Sequence, residues 1–262
     1  MITLVGHGYV GQAIASELRT QDLPFAWVRH SGSWTPSGPT INAAGYIGTP
    51  NVDACEEHKE ETIEGNVSWP LQLEKKSDFP IIHISSGCIY NGYKEGGWTE
   101  EDQPNFSGSH YSFSKILGQT ALKPYLNRSY LLRMRMPFGI RNHSKNLLTK
   151  FTNYKKLIDG LNSLSRVEDV AKTAVYFARN LPKAGIYNLV NPGFITAREI
   201  VEIMGIKKDW FTQEEFEASI KAPRSFCTLN SDKLQNVFPL DDVRDALSQC
   251  IVTETLPVAA VA

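Results

Sequence analysis

A doubly wound α/β fold, with a parallel sheet and a smaller C-terminal lobe, is predicted by three features of the 262-residue sequence. Short apolar runs alternate with helical patterns through the first half, which implies right-handed crossovers between parallel strands. The opening run ITLV leads directly into GHGYVG and a helical stretch, the strand-turn-helix order in which a helix N-terminus meets an anion. From about residue 141 the alternation gives way to mixed polar segments. The sheet domain is therefore placed at 1–184 and a substrate-binding lobe at 185–262, with residues 139–160 contributing to the lobe.

Taken in order, ITLVG reads as the first strand, GQAIASELRTQ as the first helix and PFAWV as the second strand. SGSWTPSGP is turn-rich without helical period, so the crossover to TINAAG lacks its helix and the outer edge of the sheet is expected to be shortened. VDACEEHKEETIEGNVSWPLQLEKK is helical, with a solvated Glu/Lys-rich face at 56–64. PIIHISS is a buried strand, YSFSKILGQTALKPYL a helix and SYLLRMRMPFG a strand. In the last, Met134 and Met136 alternate with Arg133 and Arg135; the methionines read as core packing and Arg133 as a brace for the sheet end. NHSKNLLTKFTNYKK puts Leu147, Leu148 and Phe151 on one helical face, and SRVEDVAKTAVYFARNL is amphipathic. GIYNLV is a short strand, TAREIVEIMG a helix, and the tail TLPVAAVA is too short to be more than a frayed end.

Composition narrows the function. Hydrophobic residues at 42% and charged residues at 21% fit a globular chain. A net charge of −1 without a polybasic stretch argues against nucleic acid or an anionic membrane and favours a small-molecule partner. Cys55, Cys88, Cys227 and Cys250 show no C-x-x-C spacing, so neither a metal site nor a disulfide framework is expected. No apolar run approaches the ~18 residues of a membrane span, and MITLVG leaves no room for a signal peptide, which together suggest a cytoplasmic protein.

Gly6, Gly8 and Gly11 have the G-x-G-x-x-G spacing of a Rossmann dinucleotide loop, with Tyr9 and Val10 inside it and His7 facing solvent. Arg29 and His30 end the second strand where an NAD site presents a carboxylate; the planar guanidinium suits a 2′-phosphate, so NADP(H) is preferred over NAD. Asn42, Ala43, Ala44 and Gly45 are small enough to pass beneath the adenine-ribose end. Tyr111 and Lys115, four apart on a helix, share a face, and the ammonium can lower the phenol's pKa and hold the nicotinamide ribose. Tyr90 and Lys94 repeat that spacing in YNGYKEGG, which cannot be a helix interior. Ser86 ends a strand upstream and would donate to a substrate oxygen beside the phenol, with Ser85 as the competitor because alternation puts the two on opposite faces. Asn66 either orders water or backbone near this group or is a buried structural amide.

With GHGYVG, NAAG, ISS and YSFSK in that order, the chain resembles the extended short-chain dehydrogenase/reductases, and within them the dTDP-4-dehydrorhamnose reductase branch. The longer strings NAAGYIGTPNVDACEEHKEETIEGNV, SGCIY, EEDQPNFSGSHYSFSK, LLRMRMPFG, GIYNLVNPG and APRSFCTLNSDKL look like the plant and giant-virus 3,5-epimerase/4-reductases that act on UDP-4-keto-6-deoxyglucose and make UDP-L-rhamnose. The resemblance spans nearly the whole chain. It implies a Ser86, Tyr111 and Lys115 triad for NADPH-dependent reduction, and Cys88 with Lys150 for epimerisation. It further implies that Arg224, with Cys88 and Asn162, contacts the nucleotide sugar, and that two copies pair as a homodimer through the helix carrying the Tyr and Lys. Two departures affect the cofactor end: the family's loop is usually G-x-x-G-x-x-G, one residue longer, and the stretch before NAAG is shorter here. The base, UDP or dTDP, stays open. The competing readings are a 4-reductase without epimerase activity and a non-catalytic NADP-binding regulatory subunit; the second has no need of the proton donor that Tyr111 supplies.

Overall fold

A computed structural model describes residues 1–32 and 34–255; the tail at 256–262 lies outside the described residues. The buried strand β1 (Ile2–Val5) leads through α1 (Tyr9–Thr20) to β2 (Phe25–Val28) at one sheet edge, and β3 (Thr40–Asn42) returns on the other side of β1. A broken helical run follows, α2 (Ala54–Glu57), α3 (Lys59–Ile63) and α4 (Trp69–Lys76), with a π-helical turn at Glu64–Ser68 joining the last two. Next come β4 (Ile81–Ser86), α5 (His110–Leu122) and β5 (Tyr130–Met134). Past β5 lie β6 (Pro137–Phe138), α6 (Leu147–Asn153), β7 (Lys156–Leu157), β8 (Leu161–Asn162), β9 (Ser165–Arg166), α7 (Val167–Asn180) and β10 (Gly185–Asn188). The C-terminal part adds β11 (Ile195–Thr196), α8 (Ala197–Ile203), β12 (Asp209–Trp210), α9 (Gln213–Ser219), α10 (Asp232–Gln235) and α11 (Val243–Thr255).

The main sheet runs β10-β5-β4-β3-β1-β2, and every pairing in it is parallel. The chain leaves β1 toward one side and returns as β3 on the other, so a crevice opens between their carboxyl ends, where ligands bind in sheets of this kind. The short outer edge is as expected: among the described residues, 29–39 carry neither helix nor strand. One boundary needs correction. The strand at Gly185–Asn188, assigned to the lobe, pairs with β5 inside the main sheet, so the sheet reaches past residue 184.

Helices α1 and α7 cover one face of the sheet, and their apolar sides share a core with Leu4, Ile41, Ile82 and Leu132. On the other face Trp69 and Leu73 pack on Val5 and Ile81. The lobe has its own core, in which Phe138, Leu148 and Phe151 meet Ile200, Val243 and Leu247. Helix α6 is shorter than the amphipathic pattern predicts. Asn146 caps it by accepting from the Leu148 amide at 3.0 Å, while its amide group holds the carbonyls of Gly139 and Arg141 at 2.7 and 2.8 Å, which curls the preceding segment into a loop. Helices α8 and α9 open with reciprocal Thr196/Glu199 and Thr212/Glu215 caps.

Phe177 is fully buried, edge-on to Tyr130 and Tyr187 at 5.2 and 5.0 Å. Phe177→Ala should cost about 3–5 kcal/mol through lost burial and the cavity left behind. Urea titration checks this as a lower midpoint with an unchanged slope.

Candidate active site

The crevice begins at the glycine loop. Gly6 has φ +102°, and a Cβ there would lie 2.8 Å from the backbone of Ala43 and Ala44. A Cβ on Gly11 would lie 2.2 Å from the Gly6 carbonyl oxygen, whereas one on Gly8 would meet nothing within 4 Å. The loop is thus closed on its inner side and open at Gly8. Gly8 caps α1 without a side-chain hydrogen bond, which leaves the first amides of the helix facing the crevice. Trp27 braces the loop by donating from Nε1 to the Gly6 oxygen at 2.8 Å, and the exposed His7 ring stacks on the same indole at 4.5 Å. Tyr9 is buried and stacks on His143 at 4.7 Å, while Val10 packs against the sheet core. These features fit a bound dinucleotide phosphate.

Arg29 and His30 stand exposed at the end of β2, with the His30 ring edge-on to Trp69 at 5.9 Å. Asn42 to Gly45 are expected beneath the adenine-ribose end, but a Cβ on Gly45 would lie 3.4 Å from Lys115 Nζ. Because β3 lies between β1 and β4, its exit crosses toward α5. Asn66, in the π-helical turn, fixes this segment: its Oδ1 accepts from the Tyr46 amide at 3.0 Å, and its Nδ2 donates to the Tyr46 carbonyl at 2.8 Å and to Ser114 Oγ at 3.0 Å. It is a buried structural amide that orders backbone beside Lys115.

Ser109 caps α5, its hydroxyl accepting from the Ser112 amide at 3.1 Å, which sets the helix start and turns Tyr111 and Lys115 to one side. Lys115 Nζ lies 5.6 Å from the centre of the Tyr111 ring. The Tyr111 phenol lies near enough to the Ser86 hydroxyl, at the end of β4, for that hydroxyl to lower its pKa. Ser86 Oγ also accepts from the Cys88 amide at 3.1 Å. The half-buried Cys88 thiol in turn accepts from Arg135 Nη1 at 3.3 Å. Ser86, and not Ser85, therefore faces the phenol. The second Tyr-x-x-x-Lys pair is split: Tyr90 is fully buried with its hydroxyl on the Asp102 carbonyl, while the exposed Lys94 is bound to the Asp102 carboxylate at 2.5 and 2.6 Å.

Burial pushes the Tyr111 phenol well above its ordinary range and the nearby Cys88 thiol adds to this, while the Ser86 hydrogen bond and the Arg135 charge work the other way. Burial also pulls the Lys115 ammonium down to about 8. Lys150, half-buried on α6, is lowered by burial and then by the charges of Lys145 and Arg224. Arg224 pairs with Asp53 at 2.8 Å, and Lys145 Nζ donates to the carbonyls of Gly48 and Pro50 at 2.9 and 3.0 Å. The structure thus gathers Ser86, Tyr111, Lys115 and Cys88 into one cluster and groups Lys150 with Lys145 and Arg224, the last next in the chain to Ser225, which accepts from Arg135.

Asn162 sits differently from a residue that reaches a ligand. It is buried and spends its side chain inside the protein, accepting from Arg135 and from the Cys227 amide and donating to the Gly160 carbonyl. Arg135 itself was not among the residues singled out for the site. The signal was slight: a central parallel strand buried on both faces is normally apolar throughout, and SYLLRMRMPFG puts Arg133 in β5 and Arg135 immediately past its end.

The family model of the RmlD substrate binding domain matches residues 35–255. A bifunctional dTDP-4-dehydrorhamnose 3,5-epimerase/dTDP-4-dehydrorhamnose reductase of Arabidopsis thaliana is 39% identical over 225 residues, covering 79% of this chain and 74% of the relative. A trifunctional protein of that plant, named as a UDP-glucose 4,6-dehydratase, UDP-4-keto-6-deoxy-D-glucose 3,5-epimerase and UDP-4-keto-L-rhamnose reductase, is 38% identical, and the match spans only 32% of its length. The crystal structure of a UDP-rhamnose synthase from Acanthamoeba polyphaga mimivirus superposes with a TM-score of 0.88 at 24% identity, covering 97% of this chain and 99% of that one. A dTDP-4-dehydrorhamnose reductase from Bacillus anthracis, in complex with NADP, superposes with a TM-score of 0.78 at 16% identity over 96% and 98% of the two chains.

Gly8→Ala should fold with stability within about 0.5 kcal/mol of the parent and lose about tenfold in affinity for a nicotinamide dinucleotide. Gly11→Ala should cost about 1–3 kcal/mol because its methyl collides with the Gly6 carbonyl. Thermal melts with titration of NAD(H) and NADP(H) separate the two. Lys115 gives a pH signature. Its folded value near 8 lies below the ~10.4 of a free lysine, so between these values the unfolded chain holds the extra proton and stability rises with pH. Lys115→Met should therefore be more stable than the parent at pH 7, and the gap should close as pH climbs through this window in urea titrations.

Proposed function

The chain belongs to the RmlD substrate binding domain family, and from that premise we propose that it is an NADPH-dependent nucleotide-sugar reductase that is also a 3,5-epimerase. Its substrate is a 4-keto-6-deoxyglucose carried on UDP or dTDP, and its product the L-rhamnose nucleotide. One observation carries the reading: the Ser86 hydroxyl accepts from the amide of Cys88 and lies near enough to the Tyr111 phenol to lower its pKa, so a proton donor for a carbonyl and a thiol flank one alcohol. The relatives with whole-chain names of this kind support it.

Hydrogens on C3 and C5 of such a sugar are α to the 4-keto group and are acidic once the enolate oxygen is stabilised. Ser86 and Tyr111 donate to that oxygen. Inversion needs an acid and a base on opposite ring faces, and Cys88 and Lys150 are the groups assigned to it. Lys150 suits a proton-transfer role because burial and its cationic neighbours hold the ammonium below the ordinary lysine range, which makes the neutral amine easier to reach. Bound NADPH supplies the hydride for C4. Tyr111 gives its proton to the carbonyl oxygen as this happens, and the Lys115 charge favours the phenolate left behind. Gly6, Gly8, Tyr9, Val10 and Gly11 would hold the dinucleotide phosphates, Arg29 and His30 a 2′-phosphate, Asn42 to Gly45 its inner side, and Tyr111 with Lys115 the nicotinamide ribose. Arg224 would meet the charge of the nucleotide sugar, with Lys145 beside it; their neighbouring effect on Lys150 supports this.

The test is product analysis with no other enzyme present. Incubated in D2O with NADPH and UDP-4-keto-6-deoxyglucose, the protein should yield UDP-L-rhamnose deuterated at C3 and C5. An undeuterated D-configured sugar would leave a reductase alone, and no NADPH consumption with either nucleotide would leave a binding protein. Tyr111→Phe should slow turnover by roughly 10²–10⁴. Cys88→Ser should suppress exchange into C3 or C5 while NADPH binding is kept.

A further inference from the structure

The most unusual charge in the molecule is Arg135. Its side chain is 1% exposed, and its acceptors are the Cys88 sulfur at 3.3 Å, Ser225 Oγ at 3.1 Å, Asn162 Oδ1 at 2.5 Å and the Ser225 carbonyl at 2.5 Å. None of the four is a carboxylate. Its Nε is buried without a partner. Arg133, also fully buried, likewise bonds neutral acceptors, Gln119 Oε1 and Tyr90 Oη, but the carboxylates of Glu100 and Glu101 lie near enough to act on its charge; Arg128 reaches the buried Glu74 carboxylate at 2.9 Å, and Arg166 reaches Asp169 and Asp241 at 2.7 and 3.0 Å. A cation taken out of water and held only by neutral dipoles is costly, and buried charges are ordinarily paired. A cation kept without a fixed counter-charge is best suited where negative charge develops during a reaction.

We infer that Arg135 is a positioning residue for proton transfer: it holds the Cys88 sulfur toward the sugar ring and serves as its counter-charge whenever that sulfur is anionic. The inference rests on the epimerase half of the reading above. The balance of the step shows why a counter-charge is required in either direction. When the sulfur removes a proton from carbon, an S–H bond forms, the C–H bond breaks and its electron pair moves into the carbonyl to make the enolate, so the sulfur begins as an anion. When it returns a proton, the S–H bond breaks, the enolate pair forms the new C–H bond, and the sulfur ends as an anion. The guanidinium touches the sulfur at both ends of the step. Its remaining donors are fixed by Asn162 on β8 and Ser225 beyond α9, so the lobe sets the position of the charge and the sheet carries it.

A structural strut and a counter-charge differ in what neutralising Arg135 would do. Asn162→Asp keeps the shape and supplies a permanent carboxylate at the Nη2 contact, while giving up the hydrogen bond from Nδ2 to the Gly160 carbonyl. That change should leave NADPH affinity near the parent value yet lower the rate constant for solvent deuterium exchange into UDP-4-keto-6-deoxyglucose by about tenfold or more, the scale of a lost charge-assisted hydrogen bond, with little change in KM. Arg135→Met should lose exchange to at least the same degree, and Arg135→Lys, which keeps charge without the fork, should recover part of it. Exchange at the parent rate in Asn162→Asp would overturn the inference while leaving the epimerase reading intact, and this holds even if Arg135→Met fails to fold. A parent protein that shows no exchange would overturn both.

Discussion

Parallel strands in register deliver their carboxyl ends to one edge, and the crevice chemistry depends on that constraint. Val5 stands opposite Asn42, Asn42 opposite His83, and Ser86 opposite Met134. By this register Gly6 and Ala43 emerge level with Ile84 and Leu132, and β4 runs on beyond them to bring Ser86 out beside Met134, with Arg135 next along the chain. A shift of β4 by a single residue would turn Ser86 away from Tyr111 and replace it with Ser85. Helix α5 completes the site only because Gly118 lets it sit directly on the π-helical turn, where a Cβ would lie 2.2 Å from the Asn66 carbonyl.

Beneath this edge runs a buried polar chain whose cost is understandable only through what it holds. Arg128 binds Glu74 at 2.9 Å, Glu74 binds His83 Nε2 at 3.0 Å, and His83 Nδ1 meets Asn42 Nδ2 at 3.1 Å. Asn42 Oδ1 accepts from the Ala44 amide at 3.2 Å and Trp69 Nε1 at 3.3 Å, which fixes the amide orientation. His83 Nδ1 must then accept, and its Nε2 carries the proton toward Glu74. Breaking such a chain by removing one member leaves an unpaired charge worth about 3–5 kcal/mol. In return, the start of the NAAG segment is held in one conformation at the point where the chain turns from β3 into the crevice.

The parts of the site that were legible in the sequence are those written in local spacing. Glycines at 6, 8 and 11 and the Tyr111/Lys115 pair are fixed by the geometry of one turn and one helix face, and strand-helix alternation gave the sheet. The choice between Ser85 and Ser86 was not legible, because β4 lies between β3 and β5 with cover on both faces, so its apolar residues carry no phase. The membership of Gly185–Asn188 in the sheet depends on pairing with a strand more than fifty residues earlier. Arg135 was hidden for the same reason: its partners Asn162 and Ser225 lie 27 and 90 residues away, and neither has a spacing that marks it.

Charge in the crevice follows a separate logic from charge over the whole molecule. The chain is nearly neutral at −1, yet Lys145, Lys150 and Arg224 lie close enough that Lys150 is pushed below its ordinary range by burial and then by the other two. Lys145 too is lowered, chiefly by burial. Such crowding opposes folding, since like charges repel most where water is excluded, and among the three only Arg224 is paired with a carboxylate, Asp53. An anionic ligand would offset the repulsion among the three cations, while the lowering by burial would stay. On the proposed reading the arrangement would favour a diphosphate-bearing molecule over a neutral sugar, and such a ligand would hold Lys150 more fully as the ammonium. Proton removal by Lys150 and capture of the diphosphate would then pull against each other, so the phosphates would be better left to Lys145 and Arg224.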